Sequence, residues 1–221
     1  MLLSALDVYE RAVALGGTPA HAARVAEMRR VFEVRTGAFG HQDPFFEARS
    51  RAFWDDAITR QGFAREVSGE LGADADPVID AFARAHRGIF RVCSERERER
   101  ESDEREAHAA GAHFILRDAW SGAELVVDAA DDGSREALHA AAGLFDARIV
   151  ATAEPLAVTI LPGAIFHPED ASESIEAVLQ AARKRELTTG DVLDALLRME
   201  RSFRSLSRVK AGYAYRPDGL R

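Results

Sequence analysis

The chain has 221 residues, of which 47% are apolar and 30% are charged, and its formal net charge is −8. This composition is typical of a folded globular protein and excludes a disordered chain. The single cysteine, Cys93, excludes an intrachain disulfide framework and a multi-cysteine metal site, and it favours a reducing, cytoplasmic location.

The first 93 residues are predicted to form a bundle of helices. Apolar residues recur every three or four positions from residue 2 to residue 15, and two glycines then end the pattern. Each later helix is introduced by a capping residue followed by proline, at Thr18-Pro19, Asp43-Pro44 and Asp76-Pro77. We expect these helices to extend to about residues 35, 62 and 92.

A charged run separates the predicted bundle from the rest of the chain. Residues 94–106 contain no apolar side chain and largely alternate between glutamate and arginine. Such a run cannot be buried, so residues 94–107 are predicted to be a charged linker or a solvated helical extension. We therefore place a domain boundary here.

Residues 108–221 are predicted to form a small α+β domain. Residues 113–118 and 123–128 have the pattern of paired strands, as do residues 144–151 and 156–161. A short helix is expected at 135–142, and closing helices are expected at 172–185 and 190–209. The whole chain is therefore predicted to be α+β: a helical bundle, then a small antiparallel sheet or partly open barrel, then C-terminal helices.

The motifs of common enzyme and membrane classes are missing from the sequence. It contains no GxxxxGK[ST] or GxGxxG phosphate loop, no GxSxG nucleophile turn and no HExxH zinc helix, so we expect no cofactor. No apolar stretch approaches the roughly 18 residues of a membrane span. Only two of the 29 basic residues are lysines, a bias that indicates a GC-rich bacterial genome.

Two histidines are candidate catalytic residues. His41 lies in a loop next to an acidic helix start, and His167 lies in an apolar turn followed by Glu169 and Asp170. Histidine beside carboxylates can act as a general base or a metal ligand, which makes a metal-assisted hydrolase one alternative. The competing interpretation, which we favour, is that the carboxylates begin helices and the neighbouring aromatic residues fill the core.

The C-terminal helix is the most informative element of the sequence. Its apolar residues are spaced by four, three, four and three positions, the seam of a coiled coil, at Val192, Leu196, Met199, Phe203 and Leu206. A neighbouring stripe is basic, at Arg201, Arg204 and Arg208. This pattern favours a non-catalytic interaction or regulatory protein that self-associates, or binds a protein partner, through residues 190–209.

Nucleic-acid binding is a third hypothesis. Tyr213 and Tyr215 alternate with basic residues, which suits stacking on a single strand. Residues 198–221 carry seven basic and two acidic side chains, whereas the whole chain is acidic. Because phosphate binding requires an excess of positive charge, the acidic balance of the chain disfavours this hypothesis.

Overall fold

The computed structural model describes residues 3–96, 113–128, 132–153, 156–206 and 209–220. Helices come first along the chain, a β-barrel follows, and two longer helices close the fold. The predicted α+β class is therefore confirmed. Within the described residues, no helix combines the length and the apolar character that a membrane span requires.

The N-terminal helices share one apolar core. α1 begins with a capping box, in which the Ser4 hydroxyl accepts the Asp7 N–H and the Asp7 carboxylate accepts the Ser4 N–H. Val8, Phe32 and Phe53 are among the side chains of the shared core. The helices are α1 (Ala5–Gly16), α2 (Ala22–Thr36), α3 (Phe46–Ile58), α4 (Phe63–Glu66), α5 (Ser68–Leu71) and α6 (Asp76–Phe82).

Two of the predicted helix starts are wrong. The Thr18 hydroxyl does not cap α2, because it donates to the Leu15 carbonyl oxygen and so closes α1. The Asp43 carboxylate does not cap α3, because it accepts the Gly40 N–H within the preceding loop. In both places the side chain satisfies a nearer backbone group, and the helix begins later than predicted.

The helix predicted from Asp76 to about residue 92 is only partly correct. α6 begins at Asp76 as predicted, but it ends at Phe82, and strand β1 (His86–Arg96) follows. Ile89 and Phe90, which extend the apolar pattern of the helix, lie in two different cores on the two sides of β1. A strand that is buried on both faces has no alternating pattern, which explains the error.

The charged run predicted as a linker or helical extension begins inside β1. Residues 94–96 belong to this strand, so the β-sheet starts before the run rather than after it. Residues 97–107 lie outside the described residues.

Of the described strands, five close into a barrel. β1 pairs with β2 (His113–Asp118) and with β4 (Phe145–Ala153), and β2 pairs with β3 (Glu124–Asp128), all antiparallel. The spatial order β4-β1-β2-β3 is a Greek key. β5 (Leu156–Ile160) closes the ring, since it is antiparallel to β4 and parallel to β3. A five-stranded Greek-key barrel is the architecture of OB-fold domains.

Two smaller elements complete the barrel. Helix α7 (Asp132–His139) connects β3 to β4, and its Leu138 packs into the barrel core beside Phe90, Leu116 and Phe145. Strand β6 (Ile165–Phe166), which the sequence did not predict, pairs with the beginning of β4. The two predicted strand pairs are confirmed.

The closing helices α8 (Ser172–Lys184) and α9 (Thr189–Ser205) pack beside the barrel. α9 lies between two cores, because Leu197 packs into the N-terminal core while Leu196 packs against residues of α8. The predicted seam of α9 is therefore largely core, with Leu196 0% exposed. α9 is one of the elements that join the N-terminal helices (α1–α6, the helical layer) to the rest of the fold, together with Val150 of β4 and Ile165 of β6.

Candidate functional site

A cleft of about 580 Å³ opens between the N-terminal helices and the barrel. One wall is formed by residues 41–51, which include the first half of α3. The opposite wall is the first part of α7, including Gly133 and Ser134, and Ile160 and Phe166 lie between the two walls. The cleft is thus shared between the helical layer and the barrel.

The loop before α3 shapes one side of this cleft. Gly37 has φ 94°, a left-handed conformation that favours glycine, and it ends α2. Phe39 then turns inward, where the Arg29 guanidinium lies 4.3 Å from its ring centroid. His41 turns outward, and its ring lies 4.1 Å from that of Phe46. The loop therefore presents His41 and Phe46 to the cleft.

The cleft has an apolar interior and a polar rim. Phe45, Phe46 and Phe166 are half-buried, so each ring keeps part of its surface available to a ligand. Arg51 and Glu47 are exposed on one rim, one helical turn apart. The N-terminal turn of α7 forms the other rim.

A second, smaller cavity of about 60 Å³ lies on the other side of the same loop and is lined in part by Arg49, Glu200 and Arg204. Arg49 and Glu200 are each 3% exposed, and Arg49 Nη1 lies 3.7 Å from Glu200 Oε2. Burial raises the pKa of Glu200 and lowers the pKa of Arg49. Arg49 Nε and Glu200 Oε2 have no hydrogen-bond partner among the described residues. This cavity, the small polar cavity, has the volume of about two water molecules.

Residues of α9 pair with the charged side chains that line the small polar cavity. Arg204 Nε donates to Glu200 Oε1 at 3.0 Å, and the Arg204 guanidinium lies 4.2 Å from the Phe45 ring centroid. Arg49 donates to the Leu197 and Thr36 carbonyl oxygens at 3.0 and 2.8 Å. These bonds connect α3 to the end of α2 and to the middle of α9.

The two histidines of the hydrolase hypothesis do not share a cavity. His41 is exposed and lines the cleft, whereas His167 is buried, and its Nδ1 lies 2.8 Å from the Tyr215 hydroxyl. Burial lowers the pKa of His167 to about 4, so its ring is neutral at pH 7. Glu169 and Asp170 are exposed in a short 3₁₀ turn. Among the described residues, no group of three metal-ligating side chains is found.

The predicted partner-binding residues are divided between core and surface. Leu196 and Tyr215 are buried and serve the core rather than a partner surface. Phe203 and Arg204 are half-buried, and Phe203 contacts the Tyr215 ring. Arg201 and Tyr213 are exposed, and Arg208 lies outside the described residues. The structure thus places Arg201 and Arg204 at the small polar cavity.

The outer face of β2 and β3 is the surface through which many OB-fold domains bind oligonucleotides and oligosaccharides. In this chain the side chains described on that face include Ile115 opposite Val126 and Arg117 opposite Glu124. Arg117 Nη2 donates to Glu124 at 2.5 Å, so its charge is paired. The face therefore carries no excess of positive charge from these four residues. It offers no independent support for the nucleic-acid hypothesis.

Sequence reasoning missed Arg49, Glu200 and Arg51. A signal existed for Arg49, because it shares the inner face of α3 with Ala52 and Phe53, three and four positions later. No comparable signal marks Arg51, whose position depends on how the barrel packs beside α3.

Comparisons with known proteins add no relative to this description. No protein-family model, no curated protein and no solved structure matches the chain.

Proposed function

We propose that the protein is a non-catalytic binding protein with a regulatory role, and that it takes a small amphipathic organic anion in the cleft. The observation that supports this proposal is the cleft itself: about 580 Å³, an interior of half-buried aromatic rings, and a polar rim contributed by both parts of the fold. Its volume lies in the range of about 300–1,000 Å³ that is typical of ligand pockets.

The apolar interior favours a ligand with an aromatic or aliphatic body. Phe45, Phe46 and Phe166 each retain exposed ring surface inside the cleft. If a ligand covered about 50 Å² of this surface, burial would contribute about 1.3 kcal/mol. A purely polar ligand would gain none of this energy.

The rim favours an anionic end on the same ligand. Arg51 supplies a positive charge, and the start of α7, which forms the opposite wall, carries the partial positive charge of a helix N-terminus. Glu47 and Asp43 oppose this preference, since both acidic residues also line the cleft.

Binding is proposed in place of hydrolysis because the catalytic histidine pair is not assembled. His41 lines the cleft with its ring stacked on Phe46, while His167 is bonded to Tyr215 in another core. A ligand that contacts both α3 and α7 would instead fix the helical layer relative to the barrel. That coupling is the basis of the proposed regulatory role.

The test is a fluorescence titration with 8-anilinonaphthalene-1-sulfonate, an aromatic sulfonate of suitable size. We expect Ala164→Trp, which fills the cleft, and Arg51→Ala to weaken binding by about tenfold, or 1.4 kcal/mol. Ala26→Trp and Arg30→Ala, exposed on α2, are the matched controls and should bind as the wild type does. Circular dichroism confirms that each variant is folded.

Two outcomes would overturn the proposal. One is that the folded Ala164→Trp protein binds the probe as tightly as the wild type. The other is that the wild-type protein does not bind the probe at all. The Glu47→Gln variant tests the preference for an anion, because removal of its carboxylate should strengthen binding of the sulfonate probe.

Self-association through the end of α9 is a second candidate function. Leu206 is 50% exposed and Tyr213 is 69% exposed, in a stretch with an excess of basic residues. We propose that this end, rather than the buried seam, contacts the acidic surface of a second copy. Native mass spectrometry tests it: a dimer that is lost in Leu206→Ser/Tyr213→Ser supports the proposal, and a monomeric wild type refutes it.

A further inference from the structure

A further cavity, of about 250 Å³ and distinct from the cleft and the small polar cavity, lies where the end of α3, the barrel and the start of α9 meet. Among the described residues that line it, Arg60, Arg87 and Arg148 supply guanidinium groups. Gly190 in the first turn of α9 lines it as well, and Phe82 and Leu193 provide apolar surface. We call it the arginine cavity.

Aspartates behind the arginine cavity hold its arginines in place. Arg87 Nε and Nη2 donate to Asp146 at 3.1 and 2.6 Å, and Arg87 Nη1 donates to Asp194 at 2.6 Å. Arg148 Nη2 donates to Asp56. Arg87 and Arg148 are thus fixed in position at the cavity wall, so a ligand would not have to order them.

Arg60 differs from the other two because it is at the entrance. Its side chain is 50% exposed, and its Nη1 lies 3.3 Å from Asp194, a carboxylate that Arg87 and Arg35 also contact. One carboxylate shared by three guanidinium groups leaves Arg60 weakly neutralised. Arg60 can therefore contact an anion in the cavity without loss of a strong ion pair.

The cluster contains as many aspartates as arginines, but one of the aspartates is only partly ionised at pH 7. Among the described residues, four arginines (35, 60, 87 and 148) meet the aspartates 55, 56, 146 and 194. Asp55 is not a full counter-charge, since burial raises its pKa to about 7. Burial is the main cause that lowers the pKa of Arg148, and the neighbouring Arg87 acts in the same direction.

The first turn of α9 adds backbone donors to the same cavity. Thr188 caps the helix by accepting the Asp191 N–H, so the amide of Gly190 lies in the turn whose N–H groups lack intrahelical acceptors. The 17 residues of α9 give this end a partial positive charge. Helix starts of this kind bind phosphate in many proteins.

We propose that the arginine cavity binds the phosphate group of a small phosphate monoester. A phosphate presents oxygens in several directions at once, which suits guanidinium groups from β1, β4 and the segment that follows α3, together with a helix start. The cavity is larger than a phosphate ion, and the remaining space adjoins Phe82 and Leu193. The organic part of the ester occupies that space.

The test measures ³¹P line broadening of inorganic phosphate added to the full-length protein at low ionic strength. We expect broadening with the wild type, and we expect Arg60→Gln to weaken phosphate binding by about tenfold. Arg65→Gln is the matched control, because Arg65 is also exposed and paired with an aspartate but does not line the cavity. Arg87 and Arg148 are left intact because they hold buried carboxylates.

Three results would overturn the inference. They are no broadening with the wild type, equal binding by Arg60→Gln and the wild type, or equal loss in Arg65→Gln. Phenyl phosphate should bind more tightly than inorganic phosphate, and equal affinity would refute a role for the apolar wall. The Arg60→Gln variant should still bind the anilinonaphthalene probe in the cleft. The proposal for the arginine cavity and the proposal for the cleft can therefore be refuted independently.

Discussion

Asp55 is the buried carboxylate whose protonation we expect to govern how stability changes between pH 5 and pH 8. It lies on α3 and accepts hydrogen bonds from the Tyr9 hydroxyl at 2.9 Å and from the Gly163 N–H at 3.1 Å. Burial raises its pKa from an ordinary value of 3.8 to about 7, although Arg148 acts in the opposite direction. We predict that Asp55→Asn removes this titration.

The raised pKa of Asp55 determines the direction in which the free energy of unfolding changes with pH. Because the pKa is higher in the folded chain, the folded state binds the proton more tightly, and this stabilisation is complete below about pH 4. It is lost as the pH rises through 7. Each pKa unit corresponds to about 1.4 kcal/mol, so the loss between pH 5 and pH 8 is about 3 kcal/mol.

His167 has the opposite effect over part of this range. Burial lowers its pKa from 6.5 to about 4. The contribution of the neutral ring to the free energy of unfolding is therefore complete above about pH 6.5 and is lost as the pH falls towards 4. In the wild type the two slopes oppose each other between pH 4 and 6.5. The stability curve of the wild type alone therefore hides both titrations.

The assay compares urea unfolding of Asp55→Asn and the wild type at several pH values. Asparagine resembles the protonated carboxyl group, since its amide can donate to Tyr9 and its oxygen can accept from Gly163. We expect the variant to gain about 3 kcal/mol relative to the wild type between pH 5 and pH 8. Asp80→Asn, at an exposed residue, is the control. A stability difference that does not change with pH would refute the reasoning.

Three further predictions concern core packing and a buried hydrogen bond. Leu196→Ala should lower the free energy of unfolding by about 2–5 kcal/mol without changing the native mass, because the side chain is in the core. A changed oligomeric state would contradict this. Gly163→Ala should be strongly destabilising in a thermal melt, since an added Cβ would lie 2.6 Å from oxygen atoms of α3, whereas Gly40→Ala should be neutral. Tyr215→Phe should cost about 1–2 kcal/mol in urea unfolding through loss of its bond to His167, and an unchanged midpoint would exclude that bond.

Local signals in the sequence were sufficient for most elements. The strand pairs at 113–128 and 144–161 were predicted because their apolar runs end at turn residues. The helix at 172–185 was predicted because its pattern is strongly amphipathic, and α8 confirms it. In each of these the local pattern and the tertiary packing agree.

Long-range packing explains what could not be predicted. The barrel closes because β1 pairs with both β2 and β4. No local pattern reveals that both faces of β1 are covered, one at Ile89 and the other at Phe90. The seam around Leu196 has the same spacing whether it faces a second copy or the chain itself. Glu200 is a charged residue in the core, and its burial depends on Arg49, which is remote in the sequence.

The most direct test of the proposed function is to map the anilinonaphthalene probe onto the protein by amide chemical-shift changes. The cleft has walls from two distant parts of the chain, so the account predicts shifts within residues 41–51 and within 133–138 at the same probe concentration. Ala164→Trp should reduce both sets of shifts at that probe concentration, as expected for binding about tenfold weaker. Shifts confined to the outer face of β2 and β3, or absent from either wall of the cleft, would contradict the account.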